Sequence, residues 1–174
     1  GPAAQAVVGF EHDIAVRGLA PEDLPEGLRE HVDRPRVMAC PAAHLCKRGA
    51  AETWPVAEEI RRRLAGPLNV FIAAAGCPNN CAQAAVADVG LVGRLRKVEG
   101  ASRPHFRLFA GGGGGRSAVL ARELHPAIPA EHAAAAAVSL LEKWREDGKR
   151  ESFEAFAARR EEEWRVELAG RYGA

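Results

Sequence analysis

The cysteines of this chain are few and fall into two tight pairs. Five residues separate Cys40 from Cys46, and after thirty intervening residues three residues separate Cys77 from Cys81. The 174-residue sequence contains only these four cysteines. A single four-thiolate site would therefore use all of them, and a fold with that site must bring the two paired segments together in space.

Three kinds of chemistry use cysteines in pairs. Structural zinc sites usually separate paired ligands by two to four residues, which the first pair does not match. Disulfides need an oxidising compartment. Four unrelated buried thiols would not explain why turn-forming residues flank both pairs. An iron–sulfur cluster needs thiolates that converge from loops with small neighbours and nearby backbone amides. Zinc remains an alternative, but the flanking residues favour the cluster; they are Ala39, Pro41, Gly76, Pro78 and Ala82.

The composition is that of a soluble globular domain. The chain is long enough to bury one core, 47% of its residues are hydrophobic, and no stretch approaches the roughly 18 apolar residues of a membrane span. The sequence begins Gly-Pro without a basic and apolar signal segment, so we expect a cytoplasmic protein with reduced thiols. The net charge of +1 argues against general nucleic-acid binding, whereas local clusters of basic residues suit an anionic ligand.

Hydrophobic periodicity predicts an α+β fold with an α/β-like order of elements, in which a small mixed sheet is flanked by helices. A continuous apolar run over residues 68–75 is too short for a typical helix and predicts a buried strand that ends just before Cys77. Thr53 can cap a helix that continues to Leu64, ahead of Gly66. The other predicted strands cover residues 14–16, 89–94 and 105–110, and the other predicted helices cover residues 21–32, 117–124, 129–146 and 152–168.

Three segments carry a joint pattern that is far more specific than either cysteine pair. They are Cys-Pro-Ala-Ala-His-Leu-Cys at residues 40–46, Gly-Cys-Pro-Asn-Asn-Cys at residues 76–81, and Ala-Asp-Val-Gly-Leu-Val-Gly at residues 87–93. Together they resemble the cluster-bearing half of the nitrite and sulfite reductases, enzymes in which siroheme is coupled to a 4Fe-4S cluster. The similarity runs over about residues 38–156 and implies the fold of the nitrite/sulfite reductase 4Fe-4S domain.

The resemblance implies a role for each cysteine. Cys40, Cys46, Cys77 and Cys81 match the cluster ligands, and Cys81 matches the position whose thiolate also ligates the siroheme iron. A shared sulfur would couple the cluster and the macrocycle into one redox unit. Electrons that arrive singly could then feed a multi-electron reduction.

Further residues are candidates for contact with the macrocycle. Asn79 and the backbone at Ala39 match positions that lie beside it in the family. Siroheme carries many carboxylates, which guanidinium and ammonium groups bind, although each basic candidate could equally be a solvated surface residue. These candidates are Arg36, Lys47, Arg48 and Arg116.

The resemblance also predicts a domain organisation. Residues 1–36 look like a fragment of a ferredoxin-like half-domain, residues 37–158 form the 4Fe-4S and siroheme domain, and residues 159–174 form a charged helix or tail. Full family members have two pseudo-symmetric halves, and only the cluster-bearing half is encoded here. We therefore expect a homo-oligomer or a partner subunit to supply the other half.

The predicted function is that of a redox protein, either a siroheme-dependent reductase of nitrite or sulfite or the cluster-bearing subunit of one. A ferredoxin or a flavoprotein would donate the electrons, and neither nucleic acid nor a membrane is an expected partner. The alternative is a 4Fe-4S electron-transfer or accessory subunit without catalytic activity of its own. A structural zinc module is a third possibility.

The glycine run at residues 111–115 has a weaker interpretation. It does not match a dinucleotide-binding fingerprint, because Arg116 occupies the place of the third glycine, and no phosphate-binding Gly-Lys-Ser/Thr follows. We expect a flexible or closely packed loop near the cofactor. His44 lies between two predicted ligands and is expected to be a loop residue, since four thiolates are already present.

Overall fold

The computed structural model describes residues 4–8, 14–32, 34–64, 66, 68–114, 118–147 and 151–173. These residues form two compact units, one of residues 1–34 with 66–68 and one of residues 35–65 with 69–174. Among the described residues, no helix is long and apolar enough to cross a membrane.

The smaller unit contains an antiparallel strand pair and a short helical segment. Its strands are β1 (Gln5–Val8) and β2 (Ile14–Arg17), followed by a 3-10 turn at Pro21–Asp23 and by α1 (Glu26–Val32). The helix predicted over residues 21–32 is thus interrupted. Pro25 explains the interruption, because a proline disfavours the helical conformation of the residue before it.

The larger unit is built on a mixed five-stranded sheet. The strand order is β3-β4-β5-β6-β7; β3, β4 and β5 are parallel, and β6 and β7 continue the sheet in antiparallel pairings. This architecture confirms the predicted small mixed sheet flanked by helices. The strands are β3 (Arg36–Ala39), β4 (Phe71–Ala75), β5 (Val89–Val98), β6 (Ala101–Ala110) and β7 (Arg122–Pro129). The helices are α2 (Ala42–Leu45), α3 (Trp54–Arg63), α4 (Ala130–Asp147) and α5 (Phe153–Tyr172).

The central strand β4 is buried along its whole length, as its continuous apolar run predicts. Helix α4 packs against β5, β6 and β7, and α3 packs against β3 and α4. On the other face, Ala73 and Ala75 belong to a core cluster with Ala82, Ala84 and Ala87 from the connection between β4 and β5. The sheet is therefore covered by helices on one face and by an irregular segment on the other.

That irregular segment, residues 76–88, carries the second cysteine pair and includes a 3-10 turn at Ala84–Val86. It lies very close to the sheet. A Cβ atom added to Gly90 would lie 2.1 Å from the carbonyl oxygen of Ala84, and one added to Gly112 would lie 2.3 Å from that of Ala87. The small residues at these contacts are therefore required, because the backbone of this segment approaches the backbone of the sheet closely.

One predicted helix differs from the structure. The helix predicted over residues 117–124 is wrong where it can be compared, since residues 122–129 form the edge strand β7, in which Pro126 is tolerated. Residues 115–117 lie outside the described part of the chain. Helix α5 begins at a cap in which the Ser152 hydroxyl accepts a hydrogen bond from the Ala155 amide, and it covers the helix predicted over residues 152–168.

Candidate cluster-binding site

The two cysteine pairs follow neighbouring strands at the same end of the sheet. In the parallel pairing of β3 with β4, Ala39 lies opposite Ala74. Cys40 therefore comes directly after β3, and Cys77 comes two residues after β4 ends. Carboxyl ends of parallel strands are the usual location of ligand sites in open α/β sheets.

A hydrogen bond to sulfur joins the two paired segments. The amide of Gly76 donates to Cys40 Sγ over 3.1 Å, so the residue before Cys77 contacts the first thiol of the other pair. Backbone amides directed at the sulfurs are among the features with which proteins tune iron–sulfur clusters.

The first cysteine loop is folded back onto Gly76 by further hydrogen bonds. The amides of Ala50 and Ala51 donate to the Gly76 carbonyl over 2.7 and 3.2 Å. The Thr53 hydroxyl donates to the Cys40 carbonyl over 2.5 Å, which ties the start of α3 to the start of the loop. Within the loop, the Cys46 amide donates to the Ala42 carbonyl over 2.7 Å and closes the single turn of α2.

Glycines make this folding sterically possible. A Cβ atom on Gly76 would lie 2.3 Å from the Cβ of Ala42, and one on Gly49 would lie 2.2 Å from the amide nitrogen of Ala43. A Cβ on Gly93 of β5 would lie 2.5 Å from the Gly76 carbonyl oxygen. Real Cβ atoms essentially never approach so closely, and the surrounding atoms are mostly backbone that cannot easily move.

The second cysteine segment is a pair of turns organised by Asn80. The Asn80 backbone is left-handed, with φ of 54°, and its amide donates to the Cys77 carbonyl over 3.1 Å. Its side-chain Oδ1 accepts a hydrogen bond from the amide of Ala84 over 2.7 Å. Asparagine is among the few residues that adopt the left-handed conformation readily. Asn80 thus holds the segment between Cys77 and Ala84 in its turn.

The four thiols differ in accessibility. Cys40 and Cys77 are half-buried, Cys46 and Cys81 are exposed, and none forms a disulfide. Cys40 also packs against the alanine-rich core cluster below the site. Within the described ranges, no group of three or more His, Cys, Asp or Glu side chains is arranged to hold a single metal ion. Four free thiols on two converging loops, with an amide directed at one sulfur, suit the chemistry of an iron–sulfur cluster.

The structure places most of the other predicted site residues around these loops. Ala39 is the half-buried last residue of β3, and Asn79 is exposed in the turn between Cys77 and Cys81. Lys47 and Arg48 are exposed in the turn that follows Cys46. His44 lies on α2, where its ring packs against Trp54 with a centroid distance of 4.9 Å.

Arg36 lies elsewhere, at the opposite end of β3 from Cys40. Its guanidinium stacks over the Phe71 ring, 4.1 Å from the centroid. Four residues of strand span about 13 Å, so the structure does not bring Arg36 to the cysteine loops. Arg116 lies outside the described residues.

Three residues position the thiols without ligating anything, through contacts that were not predicted from the sequence. Gly76, Thr53 and Asn80 act through the backbone or through one short side chain. Only Asn80 carried a recognisable pattern, since an Asn-Asn pair between two cysteines predicts a turn. The role of Gly76 depends on a neighbouring strand and is invisible in the sequence.

The glycine run begins at the end of the sheet opposite to the cysteines. Gly111 follows β6, and its amide donates to the Asp88 carbonyl over 2.9 Å. The Asp88 carboxylate accepts a hydrogen bond from the Phe71 amide over 2.7 Å. Burial raises the pKa of Asp88, and the charge of Glu154 acts in the same direction, whereas the Phe71 amide and Arg36 oppose the rise.

The fold and the two adjacent cysteine loops suit an iron–sulfur domain. A family model described as the nitrite and sulphite reductase 4Fe-4S domain matches residues 33–164, which include both cysteine pairs. The chain therefore belongs to this family, and the resemblance inferred from the sequence is confirmed. Membership gives the chain a role in the redox chemistry of this family.

Two curated relatives illustrate the similarity. Sulfite reductase (ferredoxin) 1 of Mycolicibacterium paratuberculosis is 35% identical over 124 residues, which cover 64% of this chain and 22% of the relative. The chloroplastic ferredoxin–nitrite reductase of Zea mays is 34% identical over 98 residues, which cover 53% of this chain and 17% of the relative. The chain thus spans about a fifth of the length of these relatives.

A solved structure has the same fold. The NirA protein of Mycobacterium tuberculosis superposes with a TM-score of 0.64 over 82% of this chain and 31% of that chain, at 24% sequence identity. At this identity the similarity concerns the fold alone. It confirms the predicted fold class of a nitrite/sulfite reductase 4Fe-4S domain.

Proposed function

We propose that this chain holds a 4Fe-4S cluster on Cys40, Cys46, Cys77 and Cys81 and relays electrons to a siroheme at which nitrite or sulfite is reduced. The hydrogen bond from the Gly76 amide to Cys40 Sγ carries this proposal, because it joins the two cysteine pairs at one end of the sheet. The family match across both pairs supports it.

The residues around the thiols would stabilise an electron-rich site. Thiolate sulfur gains electron density when the cluster is reduced, so a donated amide hydrogen favours the reduced form and raises the reduction potential. Close packing of Ala82 and Ala84 on the sheet excludes water from the buried side of the loops. The environment outside the first coordination sphere therefore sets the potential as much as the four sulfurs do.

Cys81 is the proposed bridge between the two cofactors. Its exposure leaves room for a second ligated group on its outer side, with Asn79 exposed beside it. Siroheme, when bound there, would supply the multi-electron reduction of the oxyanion. Lys47 and Arg48 would bind its carboxylates from the neighbouring turn.

The remaining part of the site would come from outside this segment of sequence. We propose that a second half, either from another copy or from a partner subunit, completes the pocket. The sulfite reductase and nitrite reductase relatives both carry ferredoxin in their names, so we propose a ferredoxin as the electron donor. We also propose a cytoplasmic setting, because four free thiols suit a reducing compartment. The matching family model is that of the 4Fe-4S domain, which also supports a second candidate function, that of a cluster-bearing electron-transfer subunit.

Spectroscopy of anaerobically purified protein tests this proposal. We expect a broad absorption shoulder from the cluster, with iron and acid-labile sulfide in equal amounts if the cluster is bound alone. Bound siroheme would add one iron per chain together with Soret and red-region bands. Cys40→Ser should abolish the cluster signal, whereas His44→Ala should retain it. Colourless protein with stoichiometric zinc would contradict the proposal.

A second measurement separates the reductase from the electron carrier. If Cys81 bridges both cofactors, electron paramagnetic resonance should show magnetic coupling between them, and Cys81→Ser should remove the coupling. Coupling that persists in Cys81→Ser would contradict the bridge. If protein that contains the cluster fails to bind siroheme during reconstitution, the result would favour the electron carrier.

A further inference from the structure

The hairpin of β5 and β6 extends well beyond the rest of the sheet. Pairing of β4 with β5 ends at Val92, and pairing of β6 with β7 begins at His105. Between these limits β5 and β6 pair only with each other, and residues 94–104 are exposed on both faces. We call this two-stranded projection of residues 94–104 the basic ribbon. It contains four cross-strand residue pairs, and its first strand, residues 94–98, spans about 17 Å.

The ribbon is a defined structure because of its turn. Glu99 and Gly100 have φ of 50° and 81°, and Val98 pairs directly with Ala101. Two central residues with positive φ make a type I′ turn, whose twist matches that of the strands and which sets their register. An isolated two-stranded hairpin is only marginally stable in water, so the ribbon depends on the larger sheet into which its two strands continue.

Charge is concentrated on the ribbon. Its residues include four basic side chains and one acidic side chain, a net charge of +3, whereas the whole chain has a net charge of +1. The pairing places Arg96 directly opposite Arg103, and like charges in opposite positions destabilise a strand pair. The basic side chains are Arg94, Arg96, Lys97 and Arg103.

Apolar side chains are exposed on the same projection. Leu95 is 54% exposed and lies opposite Pro104, and Val98 is 39% exposed near the turn. Arginine combined with exposed apolar groups is typical of protein–protein contact surfaces. The ribbon is a protruding element exposed on both faces, whereas small ligands are bound in concave pockets. Its shape therefore suits a protein partner better than a small ligand.

The base of the ribbon adjoins the cysteine site. Gly93 precedes the ribbon and packs so closely on Gly76 that a Cβ would lie 2.5 Å from the Gly76 carbonyl oxygen. Because β5 is parallel to β4, the ribbon continues past the end of the sheet at which Cys77 lies. The register also puts Arg94 and Arg96 on the sheet face of Val92, which belongs to the core cluster beneath the cysteine loops.

We infer that the basic ribbon is the docking arm for the acidic surface of the electron-donor protein. The inference rests on the proposed function, which requires a donor, and adds the surface that receives it. Positive charge on the ribbon would attract and orient an acidic partner beside the thiols, so binding should weaken as the salt concentration rises. A nucleic acid would match the charge but not the exposed Leu95, Val98 and Pro104.

Charge reversal at Arg103 provides the test, with an acidic [2Fe-2S] ferredoxin as the probe and calorimetry at low ionic strength as the measurement. Arg103→Glu should lower the affinity of the cluster-loaded protein for ferredoxin about tenfold, chiefly through slower association. The same change should leave thermal stability unaltered or higher, because a carboxylate opposite Arg96 replaces a like-charge pair. A residue with a merely structural role would show the opposite change in stability.

Arg62→Glu is the matched control. Arg62 is exposed on α3, and its reversal changes the net charge by the same amount at a distance from the ribbon in sequence and fold. We expect this variant to bind ferredoxin within about twofold of the wild type. Four results would each overturn the inference: equal losses of affinity in both variants, unchanged binding in Arg103→Glu, no binding of ferredoxin by the wild type, or tighter binding of duplex DNA than of ferredoxin. Cluster content, read from the absorption of each variant, separates loss of docking from failure of the proposed function.

Discussion

The two ends of the five-stranded sheet are closed by different kinds of contact. At the cysteine end, backbone groups make the connections: the Ala50 amide donates to the Gly76 carbonyl, and the Gly76 amide donates to Cys40 Sγ. At the opposite end, a side chain makes the connection, since the part-buried Asp88 carboxyl group accepts a hydrogen bond from the Phe71 amide. Because backbone groups make the connections at the cysteine end, the thiols stay accessible for ligation. At the other end, the titratable group of Asp88 is itself part of the connection.

The largest expected effect comes from breaking the backbone contact at the cysteine end. Gly76→Ala would place a Cβ 2.3 Å from the Cβ of Ala42 and 2.9 Å from the carbonyl oxygen of Ala51. Because these neighbours cannot all move, we expect a loss of about 3 kcal/mol in the free energy of unfolding and loss of cluster binding. Urea unfolding and iron content measure the two effects.

Gly170→Ala is the control for this substitution. Gly170 lies on α5, and nothing lies within 4 Å of its added Cβ. We expect unchanged stability or a gain of up to about 1 kcal/mol, because alanine favours the helix. Equal stability of both variants would show that the close approach of the two cysteine segments is not a constraint.

A smaller effect is expected when one side chain at the cysteine end is removed. Asn80→Ala deletes the acceptor of the Ala84 amide and places alanine at a φ of 54°. We expect a loss of about 1 to 2 kcal/mol and faster loss of the cluster in air. Asn79→Ala, in the same turn but exposed, should leave stability unchanged, and a larger loss in Asn79→Ala would contradict the role of Asn80.

The smallest effect is expected at the opposite end, at Asp88. Its pKa is raised by burial, so the folded state binds this proton more tightly than the unfolded state does. The stability contributed by this group is therefore present below the unfolded pKa and is lost as the pH rises through the folded pKa. Asp88→Asn should remove this decrease, and near neutral pH it should be as stable as the wild type or more stable.

Urea unfolding of both proteins between acidic and neutral pH provides the comparison. As the pH rises above the ordinary range of carboxyl pKa values, the free energy of unfolding of the wild type should fall relative to that of Asp88→Asn. A difference that changes in favour of the wild type would mean that Asp88 is stabilised in its charged form. The contrast between the two ends of the sheet would then lose its physical basis.

Elements with a single dominant pattern were predictable from the sequence. Helix α4 was predicted over residues 129–146 and spans Ala130–Asp147, because its alanines and leucines repeat with helical periodicity over many turns. The strand before Cys77 was predicted from its apolar run. β7 was assigned in part to a helix, because this edge strand with an internal proline has neither clear alternation nor a typical strand composition.

The sequence by itself determined the four candidate ligands, the family and the fold class, because residue types and their spacing along the chain carry that information. Only the tertiary structure decided that Gly76 contacts Cys40, that Arg36 lies at the far end of β3, and that residues 94–104 project beyond the sheet. These three features depend on which strands become neighbours and in which register. Strand pairing joins residues that are distant along the chain, so no local pattern encodes it.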